Sequence, residues 1–180
     1  MKAMTSAVLP AVACLILFSV SLAARPLGSN SADAQREAMR KLSPLAGRWS
    51  GPVTIVHGSG ETLHLTQTED IEYKLDGLIL LIQGKSTDGA GKVRFSALAT
   101  IAYDDASHTY QFRAYHDGHY LDTELAVSAN GFSWSFMAGP AKIVNTMRLT
   151  GKGEWHEVTD ATVGSNPPHR SVEMLLQRQR

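Results

Sequence analysis

His116 and His119 stand either side of Asp117-Gly118, a dipeptide suited to a two-residue hairpin turn. That turn makes the two imidazoles neighbours at the end of a strand pair, where they can hydrogen-bond a ligand or change charge near neutral pH. With a carboxylate they could also hold a metal. Spacing supplies no third ligand, so no metal site is assigned; the plainer reading is two solvated histidines at a loop tip. Glu157 and Asn145 form a second candidate. Together they could orient a polar ligand, or burial could raise the Glu157 pKa and make it an acid or base. The plainer readings are a self-satisfied polar network, or a Glu157 turned outward. His57 and His64, around Gly58-Ser59-Gly60, carry no deciding context, and His169 follows Pro167-Pro168 as a loop histidine. No Ser-His-Asp order, phosphate-cradling glycine loop or His-Glu-x-x-His helix is present, and Gly89-Ala90-Gly91 reads as a hairpin turn.

These residues need strands to position them. From residue 47 onward, short runs of β-type residues alternate with turn signals at the spacing of an all-β barrel or sandwich. The runs fall at 47–57, 62–74, 78–87, 92–103, 108–116, 119–128, 132–138, 142–150, 154–162 and 170–178. Taking Asp117-Gly118 as a two-residue loop sets His116 against His119, Ala114 against Leu121 and Phe112 against Thr123. The opposite face then pairs Arg113 with Asp122, an oppositely charged cross-strand couple. Asn130-Gly131, read the same way, sets Val127 against Trp134 and Leu125 against Phe136. One inner face results, carrying Tyr110, Phe112, Ala114, Leu121, Leu125, Val127, Phe132, Trp134 and Phe136. A three-residue loop at Gly151-Lys152-Gly153 sets Leu149 against Trp155 and Met147 against Glu157. Asn145, Glu157 and Thr159 then share a face with the aromatics, an arrangement that suits a lined cavity better than a solid core.

Ahead of the strands, Ala34 to Leu42 is built of good helix formers behind a capping Ser31 or Asp33, and Ser43-Pro44 stops it. This helix is placed to lid one end of the barrel. In Leu45-Ala46-Gly47-Arg48-Trp49-Ser50-Gly51 the glycines allow a close backbone approach or a kink, and Trp49 plugs the closed end. Lys2 and the apolar run Ala7 to Val20, with small residues near Ala23, read as a signal peptide over 1–24. A leader and short helix follow over 25–42 and the barrel over 43–180. The expected location is outside the cytoplasm, periplasmic or secreted. The only cysteine, Cys14, lies inside the apolar run, so the processed chain has no thiol chemistry. Formal net charge is zero and charged residues make up 19%, which leaves no basic footprint for nucleic acid.

The fold class is therefore all-β: an antiparallel up-and-down β-barrel of about ten strands with a short N-terminal helix. The helix, Gly47-x-Trp49-x-Gly51, Ile101-Ala102-Tyr103-Asp104 before Tyr110, and the ending Met174-Leu175-Leu176-Gln177-Arg178 resemble the calycin superfamily. Within it they are most similar to small lipocalin-like bacterial barrels, which are domains of unknown function. The resemblance implies a ligand-holding barrel without a defined reaction. More distantly the chain resembles nitrobindin, a haem barrel with a Gly-x-Trp-x-Gly start, which implies His169 as axial ligand and nitric-oxide or peroxynitrite chemistry; the sequence departs from that start at Pro52-Val53. The leading expectation is an exported binding protein for a small, mostly hydrophobic ligand. Its cavity would be lined by Tyr110, Phe112, Leu125, Trp134, Phe136, Asn145, Trp155 and Glu157, with His116 and His119 at the mouth. The alternatives are a haem protein, an isomerase or hydrolase working through Glu157 or a histidine, and a filled structural barrel.

Overall fold

The computed structural model describes residues 29–180; the expected signal peptide lies outside them. Helix α1 (Ser29–Arg40) and a 3-10 turn (Ser43–Leu45) lead into ten strands. These are β1 (Gly47–Val56), β2 (Thr62–Lys74), β3 (Ile79–Thr87), β4 (Val93–Asp104), β5 (Thr109–His116), β6 (His119–Ser128), β7 (Gly131–Ala138), β8 (Ala141–Leu149), β9 (Trp155–Val163) and β10 (His169–Arg178). Each strand is antiparallel to its neighbours in sequence, and β1 closes the ring on β10. The barrel is the all-β meander that the alternation predicts, with strand limits within one residue of the predicted runs. Helix α1 differs: it starts ahead of Asp33 and ends before Leu42, and Pro44 sits inside the short 3-10 turn.

The Asp117-Gly118 turn has φ of 47° and 75°, the left-handed pair of a type I′ hairpin, and pairs His116 with His119 and Arg113 with Asp122. Around Gly151-Lys152-Gly153 the predicted pairs Leu149–Trp155, Met147–Glu157 and Asn145–Thr159 all form. The other turn is displaced. Ala129-Asn130, rather than Asn130-Gly131, makes the connection, so Val127 meets Phe132 and Ser128 meets Gly131. Gly131 belongs to β7 because a Cβ there would fall on the Met147 carbonyl oxygen of β8. The shift preserves which residues face inward but moves their partners. Beyond Ala126 and Ser133 the β6–β7 ladder stops after three register pairs, and Thr123 Oγ1 donates to the Ser135 carbonyl (3.1 Å) across the parting strands.

One end of the barrel is solid. Met39 and Leu42 from α1 and its exit, with Leu45, pack against Trp49, Leu80, Ile101 and Leu176 in one buried cluster. The Trp49 indole meets that of Trp155 edge-on (5.7 Å between centroids) and donates through Nε1 to the Leu45 carbonyl (2.8 Å). Two carbonyls of the last helical turn accept from the backbone N–H groups of Lys41 and Leu42, and each takes a second bond from the wall. Tyr110 donates to the Ala38 carbonyl (2.7 Å) and Tyr73 to that of Met39 (2.6 Å), so the wall itself caps the helix. Gly51 carries out the role expected of it: a side chain there would strike the Leu175 backbone of β10 where the ring closes.

Candidate functional site

Above this solid end the barrel is hollow. A cavity of about 400 Å³ is walled by Phe112, Trp134, Phe136, Ile82, Leu121 and Met174, among other apolar side chains. Phe112 stacks on Trp134 (5.1 Å) and Trp134 on Phe136 (5.7 Å), which makes one wall a stepped aromatic ramp. A larger depression, about 920 Å³, runs across β1 to β5 beside Arg48, Asp70 and Lys85 and shares Glu69, Gly84, Ala97 and His116 with the hollow. The hollow within the ring of strands, mostly apolar and smaller, has the form of a small-molecule site.

Its floor is polar. Gln67 and Glu69 enter from β2, Ser86 from β3, Asn145 from β8, and Glu157 and Thr159 from β9. Strand alternation brings them there, since each shares its parity with apolar inward residues such as Leu65 and Ile71 or Trp155 and Ala161. Ser86 Oγ donates to Gln67 Oε1, and Gln67 Nε2 donates to Glu69 Oε1 (2.7 Å). Across the floor Asn145 Nδ2 donates to Glu157 Oε1 (2.7 Å) and to Thr159 Oγ1 (3.0 Å), and Trp155 Nε1 donates to Glu157 Oε2 (2.8 Å). Gly84 makes room for the Glu69 carboxyl, whose two oxygens would lie 3.0 Å from a Cβ at that position. Two buried atoms have no partner: Glu69 Oε2 and Asn145 Oδ1.

Burial pushes the Glu69 carboxyl up to about 8; the negative charge of Glu157 adds to the rise and the Gln67 hydrogen bond opposes it. Glu157 is surrounded by protein while keeping some surface toward the hollow. Burial raises its pKa as well, against the hydrogen bonds from Asn145 and Trp155. The floor therefore holds two carboxyls whose pKa values burial raises, with Glu69 keeping its proton through neutral pH beside the negative charge of Glu157. Neither has a basic side chain beside it in the wall, where His116 is the one basic group.

The structure gathers seven of the predicted residues around the cavity: Phe112, Trp134, Phe136, Asn145, Trp155, Glu157 and His116. His116 sits at the mouth, tilted against Phe95 (4.3 Å), with Nδ1 at 2.9 Å from the Ser96 carbonyl. Four others lie elsewhere. Tyr110 and Leu125 belong to the solid end, where Tyr110 spends its hydroxyl on the helix. His119 shares the face of its partner His116, but it stands at the rim beside the turn, exposed, and does not line the cavity. His169 is exposed at the start of β10, paired with Ala161, and does not line the cavity. The ligand set that the nitrobindin resemblance implies is thus not assembled within the hollow. His64 faces outward toward Thr54 (3.3 Å), and His57 lies in the exposed turn after β1. Among the described residues no group of His, Cys, Asp and Glu is placed to hold a metal. Glu69, Gln67 and Ser86 went unmarked in the sequence, although the run Leu63, Leu65, Gln67, Glu69, Ile71, Tyr73 carries the inward alternation that points to two of them.

No family model matches the chain, and no curated protein matches it. Among solved structures it is similar to Rv2717c from M. tuberculosis, with a TM-score of 0.60 and 15% identity over 79% of this chain and 98% of that one. At that identity the likeness is one of fold. This chain is a closed ten-strand antiparallel barrel with that structure as a neighbour.

Proposed function

We propose that the protein is an exported binding protein that holds a small, mostly hydrophobic ligand in its barrel. One observation carries the reading: a hollow with aromatic walls inside the barrel ends on a floor where two buried polar atoms lack partners. Filling such a volume with side chains would stabilise the barrel, as the solid end does, so leaving it free of side chains forgoes packing energy within the chain. A ligand restores those contacts. The seam where β6 and β7 part after three pairs offers a way in beside the rim turns. Export rests on the apolar run behind Lys2 and is checked by sequencing the N-terminus of the protein recovered from the producing cells.

The test is a titration of Nile red, a neutral apolar dye whose emission rises out of water. Saturation at one site per chain is expected, with affinity reduced about tenfold, roughly 1.4 kcal/mol, in Ala114→Trp, which fills the hollow from β5. Equal affinity in the variant would leave a structural barrel acting through its surface. A haem titration run alongside, giving a Soret band lost in His169→Ala, would move the reading to a haem protein with its ligand at the rim.

A further inference from the structure

The polar floor has a lopsided supply of hydrogen bonds. Each side-chain N–H donor it contains is already engaged: Gln67 Nε2 on Glu69, both Asn145 Nδ2 contacts on Glu157 and Thr159, Trp155 Nε1 on Glu157. The two orphaned atoms, Glu69 Oε2 and Asn145 Oδ1, are an acidic oxygen and an amide oxygen, and both lie in residues at least nine-tenths buried. The Asn145 orientation follows from its neighbours. Reversed, its oxygen would meet Glu157 Oε1 and Thr159 would lose its donor. An amide oxygen accepts only, so the missing partner at that atom is a donor.

Charge points the same way. Glu69 is faced by Trp49 of β1 and Gly84 of β3, and the titratable group that reaches it across the floor is Glu157. Arg178 stacks over the far side of Trp49 (4.2 Å) and spends its guanidinium on the Ala46 and Pro44 carbonyls. His116 lies at the mouth, engaged with Ser96 and close to Asp117 (3.2 Å). Two buried carboxyls without a counter-ion are costly, and a cation from outside the chain would relieve both.

We propose that the cavity floor is a receptor for the ammonium head of a small apolar amine, with Glu69, Glu157 and Asn145 as its acceptors. An ammonium brings three donors and one positive charge; once Glu69 gives up its proton, its carboxylate and the Asn145 amide oxygen both accept from the head, while the alkyl or aryl body lies against Phe112 and Trp134. The inference rests on the reading of the hollow as a ligand site and names the ligand's chemistry. It also couples binding to a proton. The free protein keeps Glu69 protonated up to about pH 8, whereas the bound ammonium favours the carboxylate, so binding below that pH expels a proton. Affinity for an amine therefore rises with pH from about 6 to about 8, until the amine itself loses its charge.

Calorimetric titration of the intact protein with octylamine, octanol and octanoate, in buffers of different ionisation heat, tests this. Octylamine is expected to bind at least about tenfold tighter than octanol, with octanoate weakest and net proton release for the amine alone. In Glu69→Gln, which keeps the acceptor for Gln67, the proton release disappears and the preference over octanol shrinks. Octanol binding as tightly as octylamine would overturn the ammonium receptor and leave the apolar cavity standing. Octylamine binding without proton release, unchanged in Glu69→Gln, would place it elsewhere and overturn the proposal too. If none of the three binds, the cavity reading falls together with it.

Discussion

The two halves of the barrel treat polarity in opposite ways. At the solid end each interior donor is spent: Trp49 on Leu45, Tyr110 on Ala38, Tyr73 on Met39, and helix and wall hold each other through those bonds. In the hollow half two buried oxygens are left without partners, and two carboxyls share the floor with no basic side chain beside them. The same ten strands build both, so the fold does not require the difference. A region selected for stability resembles the first; a region kept for a ligand resembles the second. The solid end resists change in the barrel's shape, which holds the hollow half open.

Breaking the solid end should give the largest effect. Trp49→Ala removes the plug that Leu45, Trp155 and Arg178 share, and should destabilise by about 3–5 kcal/mol in urea unfolding. The hollow half should respond to pH with the opposite sign from an ordinary salt-bridged carboxylate. Glu69 has a pKa of about 8 when folded against 4.5 as the ordinary value. Between those limits the unfolded chain has lost the proton that the folded one keeps, so stability is greatest below the lower limit and declines as pH rises toward the upper. The decline is at most about 1.4 kcal/mol per pH unit for each such carboxyl. Urea midpoints at the two ends of that window should differ, and Glu69→Gln should flatten the difference; a stability that climbs over the same window would contradict a protonated floor. The smallest effect belongs to one hydroxyl. Tyr110→Phe should cost about 1 kcal/mol, because the ring stays packed while the Ala38 carbonyl keeps only its bond from the Lys41 N–H. A cost near zero would mean that water reaches the helix end and that the two halves are less different than their bonds suggest.

Most of the wall was legible because turns fix register. Asp117-Gly118 has a residue pair that tolerates left-handed φ, and its length set the β5–β6 ladder from Tyr110–Leu125 to His116–His119. Asn130-Gly131 looked equivalent but yielded to packing: Gly131 was needed in β7, against the Met147 carbonyl, and the turn moved back by one residue. Half of the floor was legible too, since the loop after β8 put Asn145 and Glu157 on the aromatic face. Gln67 and Glu69 were not recognised, because polar residues within a strand ordinarily face water and the turns flanking β2 gave no register of their own. Only closure of the ring, which sets β2 between β1 and β3, decides that side. Tyr110 illustrates the reverse case: sequence gave its face, but its depth along the strand put it with the helix instead of the cavity.

Ring closure also has a consequence in time. β1 pairs with β10, and Arg178 reaches the Ala46 and Pro44 carbonyls from more than a hundred residues away. A growing chain has the first stave of its barrel long before the last. Until β10 exists the sheet is an open curl with two raw edges, each a template for another chain. Such distant pairing is slow to form, so the unfinished molecule depends on staying loose until β10 arrives. A chain cut short before His169 would be left with sticky edges and tend to clump.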